Sequence, residues 1–480
     1  MSNVGDNREL AAHSGAIRSD PAGLRKREPT ATLLQSGVSM ADIHPFRAFR
    51  YDPKRVSPAQ VVTQPYDKIN SALQDRYYAA SPHNLIRIIL GRREENDNTG
   101  NNVYSRAAAY FRDWRQQGIL RQDLDPSIYV YCQRFTLPGS STELERRGFM
   151  ALCRVEDYSA GVVFRHEQTL AKPKADRLDL LRATRAQFEQ IFVVYEDAGQ
   201  VESLLATNTE PDITVADEYG VVHRVWQVSD PGVITSVKNA MSEKKLIIAD
   251  GHHRYETALT YRNERRAADP SSSSASGPGA APYEFVPMTF INVNSPGLLI
   301  LPTHRLVHGL ASFSEEKFRS SARAFFDIDE VEATLDARSA TAILRESGRA
   351  GTSILAVTAN RAFLLHHPNP NTTEQVFAGF SLRQESLDVV QLHKCLLERV
   401  LNLSEESIRN QENIAYIRDA SEALSQVRGA GGSRANIAFL MNPCRMTQVR
   451  DIAFAGEVMP QKSTDFYPKL LSGLTIYALE

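Results

Sequence analysis

"KKLIIADGHHRYETAL", Lys244 to Leu259, carries two cations into a short apolar run. The run ends on an acid and a glycine, and two histidines and an arginine follow at once. Leu246–Asp250 has the length and composition of a central, buried strand. Gly251 permits a tight turn or a positive φ angle. Beyond it Tyr255, Ala258, Leu259 and Arg262 recur on one helical stripe, which predicts a helix from about His252. The unpaired amides of a helix first turn, with the positive end of its dipole, favour anions. Arg254 adds a planar donor fork, and His252 and His253 add ring donors. The stretch therefore predicts a strand–turn–helix unit that holds a phosphate. The plainer alternative is a helix capped by Asp250, with its basic side chains solvated. Glu256 can share a helix face with either histidine, but two ligands do not make a metal site, so no dedicated metal is expected. Magnesium arriving with a nucleotide needs only one or two protein carboxylates.

Working outward, "PGVITSVKNAMSEK" before the motif reads as a helix and "HRVWQVSD" as a strand. "KADRLDLLRATRAQFEQ" reads as a helix leading into the strand "IFVVYED". This alternation is the grammar that places ligand groups at the C-terminal ends of strands. Nearer the N-terminus, "YSRAAAYFRDWRQQGIL" predicts a helix ending at Gly118, and "SIYVYCQRFTL" and "RRGFMALCRVED" predict a hairpin. "QDRYYAASPHNLIRIIL" predicts a helix, a turn and a buried strand at Leu85–Leu90. After the motif helix, "AADPSSSSASGPGAAPYE" lacks the bulk to pack a core. It reads as a flexible insertion, because strand patterns resume at "FVPMTFINVN". From Ser314 onward helices and short strands mix again, and His366-His367 reads as loop.

These patterns give a mixed α+β class in three parts. Residues 1–40 are expected to be a disordered tail. Residues 41–310 are expected to form an α/β core with the insertion at 267–283. Residues 311–480 are expected to form a second α+β lobe with a site-lining loop at 456–473. A length of 480 residues is too great for one ordinary core. Hydrophobic content of 42%, charged content of 23% and a net charge of -2 describe an ordinary soluble protein, with no global electrostatic case for nucleic acid or anionic membrane. No run approaches the ~18 apolar residues that span a bilayer, and no secretory signature opens the chain, so a cytoplasmic location is expected. The four cysteines are far apart and read as buried thiols.

Three further stretches carry chemistry. In "VTQPYDKI", Val62–Ile69, a proline turn presents Asp67. In "RHEQTLAKPKADRLDLLRAT", His166 and Glu167 follow a strand, and Arg177 belongs to a cationic run that reads equally well as a solvated helix face. In "GEVMPQKSTDFYPKLLSG", Lys462, Ser463, Thr464, Tyr467 and Lys469 crowd a proline-braced loop that looks built to line a site.

Together, "ADGHHRYETAL", "PYDKI", "HEQTLAKPKADRLDLLRAT" and "EVMPQKSTDFYPKLLSG" resemble, in order, the hallmark segments of the bacterial and archaeal family called domain of unknown function 1015. The resemblance runs from about Ile43 to the C-terminus, with Gln64 standing where the family usually has a first proline. The Asp250–Arg254 segment is also similar to the phosphate-binding turn of the ParB/sulfiredoxin-like fold, and to a turn of free serine kinases of that fold. That similarity implies a nucleotide-binding core and ATP- or ADP-dependent phosphorylation, with Mg²⁺, of a small hydroxyl compound such as L-serine. It maps Asp250, His252, His253 and Arg254 onto the phosphate and catalytic turn. Gly251, Arg177, Lys462 and Lys469 are the accompanying candidates for nucleotide binding. Asp250, Asp67 and Glu167 are candidates for the carboxylate that orients or deprotonates the hydroxyl, with Asp250 preferred for its place at a strand end. Two alternatives stand beside this reading: a nucleotide-binding regulator without chemistry, and a phosphohydrolase using His252 or His253. The expected partners are a nucleotide and a small substrate, without nucleic acid or membrane.

Overall fold

A computed structural model describes residues 41–169, 171–268, 280–429 and 435–480. The expected tail, and positions 269–279 of the expected insertion, lie outside the described residues.

Strands of two to twelve residues build the larger sheet. Its path runs Val163–Phe164, Leu246–Asp250, Ile191–Tyr195, Phe285–Asn292, Glu143–Arg154, Ile128–Thr136, Val222–Val228, Ile213–Ala216, with Ile43–His44 joined to Leu152 and Cys153. Leu246–Asp250 is thus next to an edge strand of two residues and is not central, although Leu246 to Ala249 are buried. The sheet is mixed. Leu246–Asp250 runs parallel to Val163–Phe164 and antiparallel to Ile191–Tyr195, which runs parallel to Phe285–Asn292. The remaining pairs are antiparallel. The α+β class expected of the chain is what the two sheets make.

Both faces of the sheet are covered, so the strand Ile191–Tyr195 is apolar and buried at every position. Ile191, Val193, Tyr195, Leu246 and Ile248 face the helices Pro231–Met241 and His252–Ala268, through Val237, Met241, Tyr255 and Ala258. Phe192, Val194, Ile247 and Ala249 pack on the other side with Phe466, Leu470 and Leu474 from the C-terminal segment. Asp230 caps the first of these helices by accepting from the Val233 N–H at 2.8 Å, with Pro231 at the first helical position. Helix Ala171–Thr184 packs against His252–Ala268 and so stands beside the motif turn.

The second sheet is antiparallel, in the order Phe326–Val331, Ala362–Pro368, Ser353–Val357, Ile437–Met441, His304–Val307, Ile414–Ile417. The chain enters it at His304. Its C-terminal residues return to the first body, where Ser472 bridges to Thr63 and Ile476 to Phe49.

Two local readings are corrected. Leu85–Leu90 is not a strand: Ile86–Ile89 form one helical turn, buried with Phe111 and Trp114 of the Val103–Gln116 helix. A short run that is apolar but for Arg87 does not distinguish the two conformations. His366 and His367 are not in a loop but close the strand Ala362–Pro368. Cys132, Cys153 and Cys395 are buried, Cys444 is half-buried, and all four are free thiols. Among the described residues no helix is long and apolar enough to cross a membrane.

Candidate functional site

The opening motif folds as a strand, a glycine turn and a helix. Gly251 sits at φ +93°, outside the range that side-chain-bearing residues adopt comfortably, and its carbonyl accepts from the Tyr255 N–H at 3.0 Å. Asp250 does not cap the first helical turn from outside. Its Oδ1 accepts from the Gly251 N–H at 2.9 Å, and its Oδ2 faces two cations, Lys469 Nζ at 3.4 Å and Arg254 Nη2 at 3.9 Å. Burial opposes the charge of Asp250, but Lys469, Arg254, Lys68 and Lys462 together hold its carboxyl far below the usual range. It is a fixed anion at neutral pH.

Lys469 links the motif to the C-terminal loop. Its Nζ lies 3.1 Å from Asp465 Oδ1 as well as 3.4 Å from Asp250. Asp465 also meets Arg418 and, at 4.0 Å, Lys68. Burial works against Asp465 too, and Lys469, Lys68 and Arg418 overcome it. Lys68 is lowered, first by the repulsion of Lys469 and then by burial. Lys469 is raised: burial disfavours its charge, and Asp250 and Asp465 outweigh that. Two carboxylates therefore sit among three lysines and two arginines.

The remaining predicted residues divide by what they touch. Arg254 donates to the Gln190 carbonyl, and the charges of Glu189, Asp250 and Asp67 hold it protonated against burial. Arg177 is not a solvated helix residue. It is 7% exposed, lies over the Tyr66 ring at 4.2 Å and reaches Glu189 at 3.7 Å, whose other oxygen accepts from the Tyr66 N–H. Arg177 thus steadies the Tyr66–Lys68 turn and does not contact Asp250. Glu167 accepts from the Lys462 N–H at 2.6 Å, and the Lys462 carbonyl accepts from Arg305 at 2.9 Å. These two contacts hold Lys462 at φ +59°, an uncommon conformation for a residue with a side chain. Burial raises Glu167, against the pull of Lys462.

His166 and His252 turn toward each other, edge to face at 4.7 Å. His166 is fully buried, with Nδ1 at 2.8 Å from the Ile248 carbonyl and Nε2 at 2.9 Å from Thr464 Oγ1. Burial pushes it down to about 4, and burial together with His166 pushes His252 well down. Both rings are neutral; His166 ties the motif strand to the loop, and His252 packs against it. His253 is half-exposed and also lowered by burial, against Glu256 and Asp67. Ser463 donates to the Pro460 carbonyl at 2.5 Å, so its hydroxyl braces its own loop.

A cavity of about 770 Å³ opens beside these groups, lined by Asp67, Lys68, Lys462, Asp465, Tyr467 and Lys469 among others. Tyr416 and Arg418 of the second sheet's end also line it, so both sheets contribute. Asp250 does not line this cavity itself; Lys469, in contact with it, does. Asp67 and Asp465 place carboxylate oxygens on the cavity wall, and Asp250 stands behind Lys469. Sequence reading missed Lys68, Asp465, Arg146 and Arg418. Lys68 and Asp465 lie inside the two proline-braced turns that carry Asp67 and Lys469. Arg146 and Arg418 have no local signal.

Comparison with solved structures finds likenesses at low identity. A mutant free serine kinase in complex with AMP aligns with a TM-score of 0.34 and 12% identity, over 65% of this chain and 89% of that one. A conserved hypothetical protein from Pyrococcus furiosus aligns at 0.32 and 11%, over 63% and 86%. SbnI with a C-terminal truncation, from Staphylococcus aureus, aligns at 0.32 and 10%, over 68% and 87%. No curated protein matches the chain in sequence. The model of the family described as "Protein of unknown function (DUF1015)" matches residues 43–390, which leaves the loop bearing Lys462 and Lys469 beyond its end. Spanning most of the chain and three of its four signature segments, that match places the protein in the DUF1015 family.

Proposed function

We propose that this protein is a nucleotide-dependent phosphotransferase acting on a small hydroxyl compound, of which free L-serine is the first to test. The observation that carries the reading is Lys469 Nζ set between Asp250, at 3.4 Å, and Asp465, at 3.1 Å, beside a glycine turn that opens a helix. Phosphoryl transfer asks little covalent chemistry of a protein and much positioning of positive charge around the transferred group. In this reading the Gly251–Arg254 turn takes phosphate oxygens on its first-turn amides, and Arg254, Lys462 and Lys469 supply charge. The cavity shared by the two sheets holds the rest of the ligands. Asp250 stays ionised because of its cations, which makes it a weak base and a strong orienting group for the acceptor hydroxyl. Asp67 and Asp465 suit Mg²⁺, which takes one or two carboxylates with nucleotide phosphates and would neutralise charge on them.

The test is incubation of the full chain with Mg²⁺, ATP or ADP, and serine, with assay for phosphoserine. Phosphoserine supports the proposal, and Asp250→Asn should then lower turnover by about 100-fold or more. Binding of nucleotide without product would favour a regulator. Free phosphate alone would favour hydrolysis, for which half-exposed His253 is better placed than His252, whose ring turns inward against His166.

A further inference from the structure

The outer edge of the second sheet carries a cluster that the site above does not use. Phe326–Val331 is an edge strand, paired antiparallel with Ala362–Pro368. Three irregularities meet where these strands end. The pairing slips between Phe326 and Asp327. His367 lies at φ +44°, uncommon for a residue with a side chain. A regular strand sends neighbouring side chains to opposite faces, yet the His366 and His367 rings meet with their Nδ1 atoms 2.6 Å apart. Asp327 Oδ2 lies 3.9 Å from His367 Nδ1, and one ligand atom from each of the three residues falls within 4.8 Å of the other two. Among the described residues this is the one such His/Cys/Asp/Glu group.

The hydrogen bonding around it is specific. His366 Nε2 lies 3.0 Å from Asp329 Oδ2. If that nitrogen donates its proton to Asp329, the Nδ1 lone pair of His366 faces the Nδ1 of His367. Two ring nitrogens this close share either a proton, as in an N–H···N hydrogen bond, or a metal ion. A carboxylate on the remote nitrogen is the arrangement that orients histidine toward a metal. Ligand atoms around tetrahedral zinc stand about 3.3 Å apart. The 2.6 and 3.9 Å separations straddle that spacing, and small rotations of the exposed His367 and Asp327 side chains would even them. Imidazole and carboxylate together suit zinc, whereas magnesium and calcium take oxygen ligands.

We propose that Asp327, His366 and His367 form a binding site for a divalent transition-metal ion of the zinc type, with Asp329 as a positioning residue for His366. Three protein ligands leave a fourth position open, and Asp327 and His367 are 73% and 64% exposed, so the ion is exchangeable and reachable from solvent. The site does not depend on the phosphotransfer reading.

Titration calorimetry of the full chain with zinc chloride tests it, with magnesium chloride as control. Wild type should take up one zinc per chain and no magnesium at this site. A His366→Ala/His367→Ala double variant should lose zinc affinity by 100-fold or more, and Asp329→Asn by about 10- to 100-fold. Circular dichroism should show both variants folded, since the substitutions lie on a sheet edge. Absence of zinc uptake by wild type, or equal uptake by the double variant, would overturn the proposal and leave a shared proton as the link between the rings. An unchanged affinity in Asp329→Asn would remove Asp329 from it.

Discussion

Arg254 folds back over Gly251 so closely that a Cβ at position 251 would stand 2.9 Å from the arginine Nε and 3.0 Å from its Cζ. The glycine is therefore required twice, for its φ of +93° and for the space the guanidinium occupies. Gly251→Ala is expected to cost about 1–2 kcal/mol of stability from the backbone alone. It should also move the guanidinium away from Gln190 and Asp250. If the turn holds phosphate, ADP affinity should fall about tenfold or more, the worth of one charge-assisted hydrogen bond. Urea denaturation and calorimetry with ADP measure the two effects. Wild-type values in both would contradict this account of the turn.

Lys469 serves two buried carboxylates at once, so its loss should cost more than an ordinary surface pair. Lys469→Met would leave Asp250 and Asp465 facing each other with fewer cations, a penalty of about 3 kcal/mol. Neutralising one of those acids should relieve part of it. Asp250→Asn is thus expected to be less costly in the Lys469→Met background than in wild type, a positive coupling a double-mutant cycle reads directly. Strictly additive effects would mean that the lysine and the aspartate do not interact.

The strand–turn–helix unit was legible because its determinants are contiguous: a strand end, a glycine and the first turn of an amphipathic helix occupy residues 246 to 262. Asp67, Lys462 and Lys469 were legible as dense polar groups on proline-braced turns, though not as neighbours. Nothing local announced Arg418, which arrives from the second sheet and meets Asp465 across 47 positions of chain. The motif alone makes His252 a ring donor for a ligand, and its burial against His166 is visible only in the tertiary fold. The Leu85–Leu90 run failed for a different reason. Its apolar residues carry no period, and the Val103–Gln116 helix it packs on decides its conformation.

Acid should weaken the fold through these histidines before it reaches the carboxylates. His166 has an ordinary value of 6.5 and a native value of about 4, set by burial against the opposing pull of Ile248 and Asp250. Between those values the unfolded chain takes up a proton that the native state refuses. The contribution is therefore fully present above pH 6.5 and is lost as pH falls toward 4, amounting to about 3 kcal/mol. His252 is shifted in the same direction. Asp250 and Asp465 are depressed, so their share goes only below the usual carboxylate range, a separate window. Denaturation at intervals from pH 7.5 to 4.5 should show little change from this source down to about pH 6.5 and a decline below it, and His166→Gln should flatten that decline. An equal slope in the variant would assign the decline elsewhere.

Arg146 is the buried support on which the site loop rests. Its side chain is fully enclosed, with Nε 3.0 Å from Gln133 Oε1, Nη1 3.0 Å from the Tyr467 carbonyl and Nη2 against the Pro468 carbonyl. The Phe192 ring lies 4.7 Å from its Cζ, and Gln133 in turn donates to the Lys469 carbonyl at 2.7 Å. Burial lowers Arg146 to about 10, still well above neutrality, so it remains a cation. Arg146→Met would leave two carbonyls and an amide oxygen short of donors, at a cost of about 3 kcal/mol. It would also loosen the backbone that positions Lys469. Arg146→Lys should recover only part of the loss, because a single ammonium cannot reproduce a fork that reaches three acceptors. Amide exchange at Tyr467, Lys469 and Leu470 should quicken in both variants, and more in the methionine variant. Full recovery by lysine would show that charge alone, and not the planar fork, holds the loop against the sheet.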